Sequence, residues 1–209
     1  MKNTSSAFTL IELLVVIAII AVLATLGYAA AESVIGKGQA TKCLSNMRQI
    51  GAAMQMFVAE NGGRLPAVQH KNQTSWTNSL GAFLGTNFIG RCPSLNDYPE
   101  RIAVTYGWND MLADPTTSQG LLVSRLSRPS STVAVAEKQS SAGRFDHFHF
   151  RKALGIRGRI SFAMFESFVN TTAHGPSANY LFVDGHVESI SANEVQTRLS
   201  GMNPAFLVP

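Results

Sequence analysis

The sequence predicts an α+β chain, with one long, partly membrane-spanning amino-terminal helix packed on a small antiparallel-sheet head. Three observations predict it. Residues 8–31 form a run of 24 in which Glu12 is the only charged side chain. Beyond that run, Cys43, Met47, Ile50, Met54 and Phe57 recur at spacings of four, three, four and three, the pattern of one apolar helix face. Near the end, Asn179–Val183 and His186–Ile190 flank Asp184-Gly185, two strand-like runs joined by a tight-turn dipeptide.

As a helix rising 1.5 Å per residue, the first run reaches about 36 Å, enough to cross a hydrocarbon layer roughly 30 Å thick. A carboxylate inside such a segment costs roughly 2.5–3.5 kcal/mol on insertion scales, so Glu12 needs a partner or a task. The simpler alternative is that Glu12, one turn into the span, reaches back to the lipid surface. Ala29-Ala30-Ala31 also fits a secretory cleavage site, which would release a soluble chain from Glu32. Against that reading, the apolar stretch exceeds the roughly 7–15 residues of a signal core and contains Glu12. Under either reading the amino terminus starts in the cytoplasm and everything after Ala31 is exported.

The helix is expected to continue over 32–60. Gly36 and Gly38 lower helix propensity by about 1 kcal/mol each relative to Ala, which favours a kink or soft joint there. Asn61-Gly62-Gly63, with Pro66 beyond, predicts the stop, through a left-handed cap and a turn. Residues 61–209 then form one head of ordinary domain size. Within it, Trp76–Leu84 reads as a short helix weakened by Gly81, and Ile102–Tyr106 and Thr132–Ala136 read as strands. Asp114-Pro115-Thr116-Thr117 marks a turn. Residues 138–159 read as an irregular excursion, and Ile160–Phe168 fits strand or helix equally. In the hairpin, Gly185 is expected to serve a type I′ turn, which demands positive φ at both central residues. Ser191-Ala192-Asn193-Glu194 has capping-box spacing and predicts a short helix to about Leu199. The placement of the tail, Asn203–Pro209, is open.

The segment around Phe8-Thr9-Leu10-Ile11-Glu12 resembles the amino terminus of type IV pilins and of the pseudopilins of type II secretion. In that family a short polar leader ends in a small residue, a prepilin peptidase cuts before the Phe, and the new amine is methylated. The resemblance places the leader at 1–7, the cut between Ala7 and Phe8, and N-methylation on Phe8. It makes Glu12 the carboxylate that meets the terminal ammonium of a neighbouring subunit, neutralising two charges that hydrocarbon would otherwise strand. One departure is that Ala7 stands where the family usually has Gly.

A second resemblance lies in the head. His174, nine intervening residues and Asp184-Gly185 are similar to the H-x9-DG pattern of a large pilin-like family from planctomycete-type and related bacteria. Cys43–Gly51 resembles that family's post-membrane helix, Arg91-Cys92-Pro93 its second cysteine segment, and Tyr106-Gly107-Trp108-Asn109 its Tyr-Gly-x-Asn element. The resemblance implies a pilin-like fold and leaves the head's task undefined. Two cysteines in an exported chain suggest one disulfide, Cys43–Cys92, because the periplasm is oxidising. The alternative keeps Cys43 as part of the apolar helix face and leaves Cys92 free.

His147, His149, His174 and His186 sit in the last third of the chain near Asp146, Asp184 and Glu188. His174, Asp184 and His186 are the weak candidates for a transition metal, without a short ligand motif. The simpler reading has His174 donate to Asp184 or a nearby carbonyl and pin its loop to the hairpin. Asp184 and Asp146 are calcium candidates without compelling spacing. There is no Gly-x-Ser-x-Gly elbow, phosphate loop, His-Glu-x-x-His pair or dinucleotide fingerprint, so no enzyme and no cofactor is implied. The net charge of +4 is too small to imply nucleic acid. Arg144, Arg151, Lys152, Arg157 and Arg159 cluster in one region, read as a solvated face.

The resulting expectation is a structural filament subunit stored in the inner membrane, with a cytoplasmic amino terminus and a periplasmic head. Its implied partners are copies of itself or sister pilins, a prepilin peptidase, and an inner-membrane assembly platform with its ATPase. The alternative is a membrane-anchored exported module that binds polysaccharide or DNA and never polymerises.

Overall fold

The computed structural model describes residues 9–68, 75–85, 90–95, 98, 104–142, 146–152, 160–200 and 206–207, without the side chains of 26, 27, 29 and 30. It is α+β and divides into two compact units, Met1–Gly38 and Gln39–Pro209. The leader expected over 1–7 and the expected processing residue Phe8 lie outside the described residues.

Helix α1 runs Leu10–Glu60 and stays helical through Gly36 and Gly38. In the first unit its described apolar side chains, from Leu10 to Leu23, are exposed, between 44% and 81%. Among the described residues no helix is long and apolar enough to cross a membrane.

In the second unit the predicted stripe is core. Cys43, Met47, Ile50 and Met54 are buried and Phe57 packs at the margin of the same cluster. The helix ends as its sequence predicts. Gly62 and Gly63 take φ of 63° and 79°, and the Gly63 amide donates to Val58 O at 2.9 Å.

Four antiparallel strands follow in the order β1-β2-β3-β4: Tyr106–Trp108, Val133–Glu137, Ser177–Phe182 and Val187–Ser191. The expected strand at Ile102–Tyr106 is displaced. Residues 104 and 105 are not strand, 101–103 lie outside the described residues, and β1 starts at Tyr106. A bulge between Val133 and Val135 lets β2 send Ala134 and Val135 to the α1 side and Val133 and Ala136 to the other. Both sheet faces are covered, which is why β2 reads as a continuous apolar run rather than an alternation.

On the α1 side, Trp76 and Trp108 stack at 6.0 Å, both fully buried. On the far side an aromatic layer of Phe148, Phe150, Phe165, Tyr180, Phe182 and Phe206 fills the second core. Short helices close it. Ile160–Phe168 resolves as a helix over Phe162–Glu166, capped by the Ser161 hydroxyl. The predicted carboxyl-terminal helix is Ala192–Ser200, with the Ser191 hydroxyl accepting from the Glu194 amide at 3.3 Å. The Trp76 helix stops at Leu80, where Gly81 follows. From the tail, Phe206 and Leu207 are described and buried.

Candidate functional site

Three local constructions carry the residues singled out from sequence. The first is the start of α1. The Thr9 hydroxyl accepts from the Glu12 amide at 3.3 Å, while Glu12 Oε2 accepts from the Thr9 amide at 2.8 Å and from its hydroxyl at 2.7 Å. This reciprocal capping box satisfies two orphan donors at the helix start. It gives Glu12 a partner within its own chain, a role that the Thr9-x-x-Glu12 spacing could have revealed.

The second construction is the hairpin. Gly185 takes φ of 95°, whereas Asp184 does not take a positive φ, so the expected type I′ turn is not what forms. Phe182 O accepts from the Gly185 amide at 2.9 Å, and the Phe182 amide donates to His186 O at 2.9 Å. Those bonds enclose Val183, Asp184 and Gly185 as a three-residue loop with glycine in the left-handed position, the G1-bulge arrangement. The Asp184 carboxylate turns onto His186, with Oδ1 2.6 Å from Nδ1 and 3.2 Å from the His186 amide. His186 in turn stacks on Phe182 at 4.3 Å.

The loop is seated against α1. Gln55 Nε2 donates to Val183 O at 2.9 Å. Gly51 lies where any Cβ would sit 2.8 Å from Leu181 Cδ1 and 3.0 Å from Gly185 O. Only glycine lets helix and turn approach so closely.

The third construction is buried beneath α1. Cys43 and Cys92 form the expected disulfide, fastening α1 to the head across 49 residues of sequence. Beside it, His174 Nε2 lies 2.6 Å from Glu137 Oε1 and 3.9 Å from Cys92 Sγ, and its Nδ1 lies 3.1 Å from Ser94 Oγ. Glu137 is fully buried, and its Oε2 accepts from the Asn179 amide at 2.9 Å.

This corrects the expected partner of His174. His174 does not bond Asp184: the two occupy opposite ends of β3, and each has another partner. His174, Asp184 and His186 therefore do not converge on a metal. Among the described residues, the donor group that does converge is Cys43, Cys92, Glu137 and His174, whose ligating atoms all lie within 4.8 Å of one another. Glu137 was not singled out from sequence, since nothing local in Val-Ala-Val-Ala-Glu137 signals a buried carboxylate.

Other polar groups act as pins. Asn46 Nδ2 donates to Tyr106 Oη at 3.2 Å and to Arg91 O at 3.3 Å. Asn109, from the Tyr-Gly-x-Asn element, accepts from the Met111 amide and donates to Val133 O and Leu207 O, each near 2.9–3.0 Å. Arg151 spends its guanidinium on Asp110 O, Met111 O and Ala113 O instead of facing solvent alone. Burial pushes the Asp110 carboxyl up to about 6, against the amides of Arg151 and Phe150 that favour its ionised form. Lys152 is described beside it, while Arg144, Arg157 and Arg159 lie outside the described residues.

Asp146 meets both the Ser75 hydroxyl and His147 Nδ1. Burial raises the Asp146 carboxyl, but those hydrogen bonds prevail and hold it below the usual range. A carboxylate standing between Ser and His is not the order that activates a serine, which needs the imidazole on the hydroxyl.

Residues 2–28 match the family model described as "Prokaryotic N-terminal methylation motif". The amino terminus is of prepilin type. Such a motif implies processing by a prepilin peptidase, anchoring in a membrane by the amino-terminal segment, and assembly into pilus-like filaments; its family is structural rather than enzymatic. No curated protein and no solved structure matches the chain.

Proposed function

We propose that this prepilin-type chain is a structural subunit of a type IV pilus-like or type II secretion pseudopilus filament. The observation that carries this reading is the methylation motif on a helix whose described apolar side chains stand exposed from Leu10 to Leu23. Exposed leucine, isoleucine and valine in that number need lipid or neighbouring helices to cover them.

In this reading the peptidase cuts between Ala7 and Phe8, Phe8 is N-methylated, and residues 8–31 hold the chain in the inner membrane. Residues 32–60 continue the helix on the periplasmic side, and 61–209 form the periplasmic head. The partners are copies of itself or sister pilins, the peptidase and an inner-membrane assembly platform. The Glu12 carboxylate exchanges its Thr9 contacts for the Phe8 ammonium of the adjacent subunit, which sets axial register. The head, held by the disulfide and the bulged hairpin, is the rigid body presented on the filament.

The mature mass and terminal sequence of the protein from its host's membranes test processing. An N-methylated Phe8 terminus is expected; a chain starting at Glu32 would overturn the reading. Glu12→Ala tests assembly. Filaments recovered by shearing should disappear while the disulfide-bonded head remains folded. Undiminished filaments would exclude the role given to Glu12, and a chain that binds polysaccharide or DNA without polymerising would favour the anchored-module alternative.

A further inference from the structure

We propose that, when the Cys43–Cys92 bond is open, Cys43, Cys92, His174 and Glu137 form a binding site for a thiophilic divalent metal ion of the zinc class.

Four donors of the right kinds already stand together. Two sulfurs, one imidazole nitrogen and one carboxylate oxygen lie within 4.8 Å of one another. Tetrahedral zinc with ligands at about 2.0–2.3 Å sets its donors roughly 3.3–3.8 Å apart. His174 Nε2 is 3.9 Å from Cys92 Sγ and 2.6 Å from Glu137 Oε1, so small side-chain movements suffice once the sulfurs separate.

The surroundings suit ligation as well. Cys43, Cys92 and Glu137 are essentially inaccessible, and the His174 side chain is 5% exposed. His174 Nδ1 lies 3.1 Å from Ser94 Oγ, so a proton held there leaves Nε2 as the metal-facing lone pair. The Asn179 amide holds Glu137 Oε2, which turns Oε1 toward the sulfurs. A buried carboxylate beside two sulfurs and an oriented imidazole is more than a disulfide needs.

The chemistry balances in two steps. A dithiol reductant supplies two electrons and two protons, becoming a disulfide itself and leaving two protein thiols. The divalent ion then displaces both thiol protons, forming two metal–thiolate bonds and releasing two protons to solvent. In the newly exported chain, whose cysteines have not yet been oxidised, the first step is not required. The metal then ties α1 to the head through the same two residues as the disulfide. This inference does not depend on the filament reading, because all four residues lie in the unit Gln39–Pro209.

The test uses the full chain in detergent, reduced by a phosphine and titrated with Co²⁺. Expected are the near-ultraviolet thiolate-to-cobalt charge-transfer band and the strong visible bands of a tetrahedral site, saturating at one ion per chain and abolished by added Zn²⁺. The oxidised chain should give neither. His174→Ala should weaken binding at least tenfold, and Ser94→Ala, which keeps every ligand, should weaken it roughly tenfold through loss of orientation. Zinc should also raise the unfolding temperature of the reduced chain and leave that of the oxidised chain unchanged. Absence of the charge-transfer band in reduced wild-type protein would overturn the proposal. So would affinity unchanged in both variants, which would mark adventitious thiol binding.

Discussion

His174→Ala should destabilise the head by about 2.5–4 kcal/mol, from a lost hydrogen bond to a buried carboxylate and the cavity left behind. The figure can be built from the site. His174 stands 2.6 Å from a carboxylate with no solvent exposure and 3.1 Å from the Ser94 hydroxyl. A hydrogen bond to a charged group contributes about 1.5–3 kcal/mol. The emptied imidazole volume adds roughly 1 kcal/mol at about 24 cal/mol per Å³ of cavity. Glu137 would retain Asn179, whose amide and Nδ2 donate at 2.9 and 3.4 Å, so the carboxylate is impoverished but not abandoned. Glu137→Gln should cost less, about 1–2 kcal/mol, because an amide keeps the shape and can still accept from Asn179. The two changes remove one shared interaction. The double variant should therefore cost at least about 1 kcal/mol less than the sum of the singles. The assay is guanidinium unfolding of the oxidised full chain at fixed neutral pH, followed by the fluorescence of the stacked, buried pair Trp76 and Trp108. A loss below about 1 kcal/mol for His174→Ala, or strict additivity, would refute the view that this histidine is a core partner of Glu137.

Three further outcomes follow from the same geometry. Gly185→Ala should cost about 1–2 kcal/mol by unfolding titration, since an L-residue is strained at φ of 95° and its Cβ meets Gln55 at 3.1 Å. Replacing both Cys43 and Cys92 by Ala should lower stability by about 4 kcal/mol from loop entropy alone, read as a shifted denaturation midpoint. Asp110 sets a pH dependence. Its folded value of about 6 lies above the ordinary 3.8, so its penalty is full above pH 6 and is relieved as pH falls toward 4. Going from pH 7 to 4.5, wild-type stability should therefore gain about 2 kcal/mol relative to Asp110→Asn; a change of the opposite sign would refute the assignment.

What could be read from the chain divides by the range of the interaction. The Cys43–Phe57 stripe, the Gly62-Gly63 stop and the Ser191 cap each depend on neighbours within a turn or two, and each appears in the structure. The hairpin was legible for the same reason, but its turn type was not. Asp-Gly serves both a two-residue I′ loop and a bulged three-residue loop. The choice went to the bulge, which sends Val183 O to Gln55 across 128 residues of sequence. Of the strand expected at Ile102–Tyr106, residues 104 and 105 stay outside the sheet because pairing with β2 begins only at Tyr106, opposite Glu137. The His174–Glu137 contact was hidden entirely, since its partners lie 37 residues apart and Glu137 ends an otherwise apolar strand. Gly51 was equally silent, for a helical glycine declares its purpose only when the opposing turn is in place. Thr9-x-x-Glu12 was legible as a cap, because its two partners lie three residues apart.

The seat of α1 has a mechanical consequence. A rod attached at one point can pivot, whereas a rod attached at two separated points can only move with its load. Between Gln39 and Glu60 the helix is joined to the head by the Cys43–Cys92 bond near one end and by Gln55–Val183 near the other. The two attachments stand twelve residues apart, a lever arm of about 18 Å along the axis. The missing Cβ of Gly51 lies between them and acts as a detent: sliding the helix by one turn would drive a larger side chain into Leu181 and the turn. Axial pull on α1 therefore reaches β3 and β4 as shear on a covalently backed joint, and torque about α1 turns helix and sheet together.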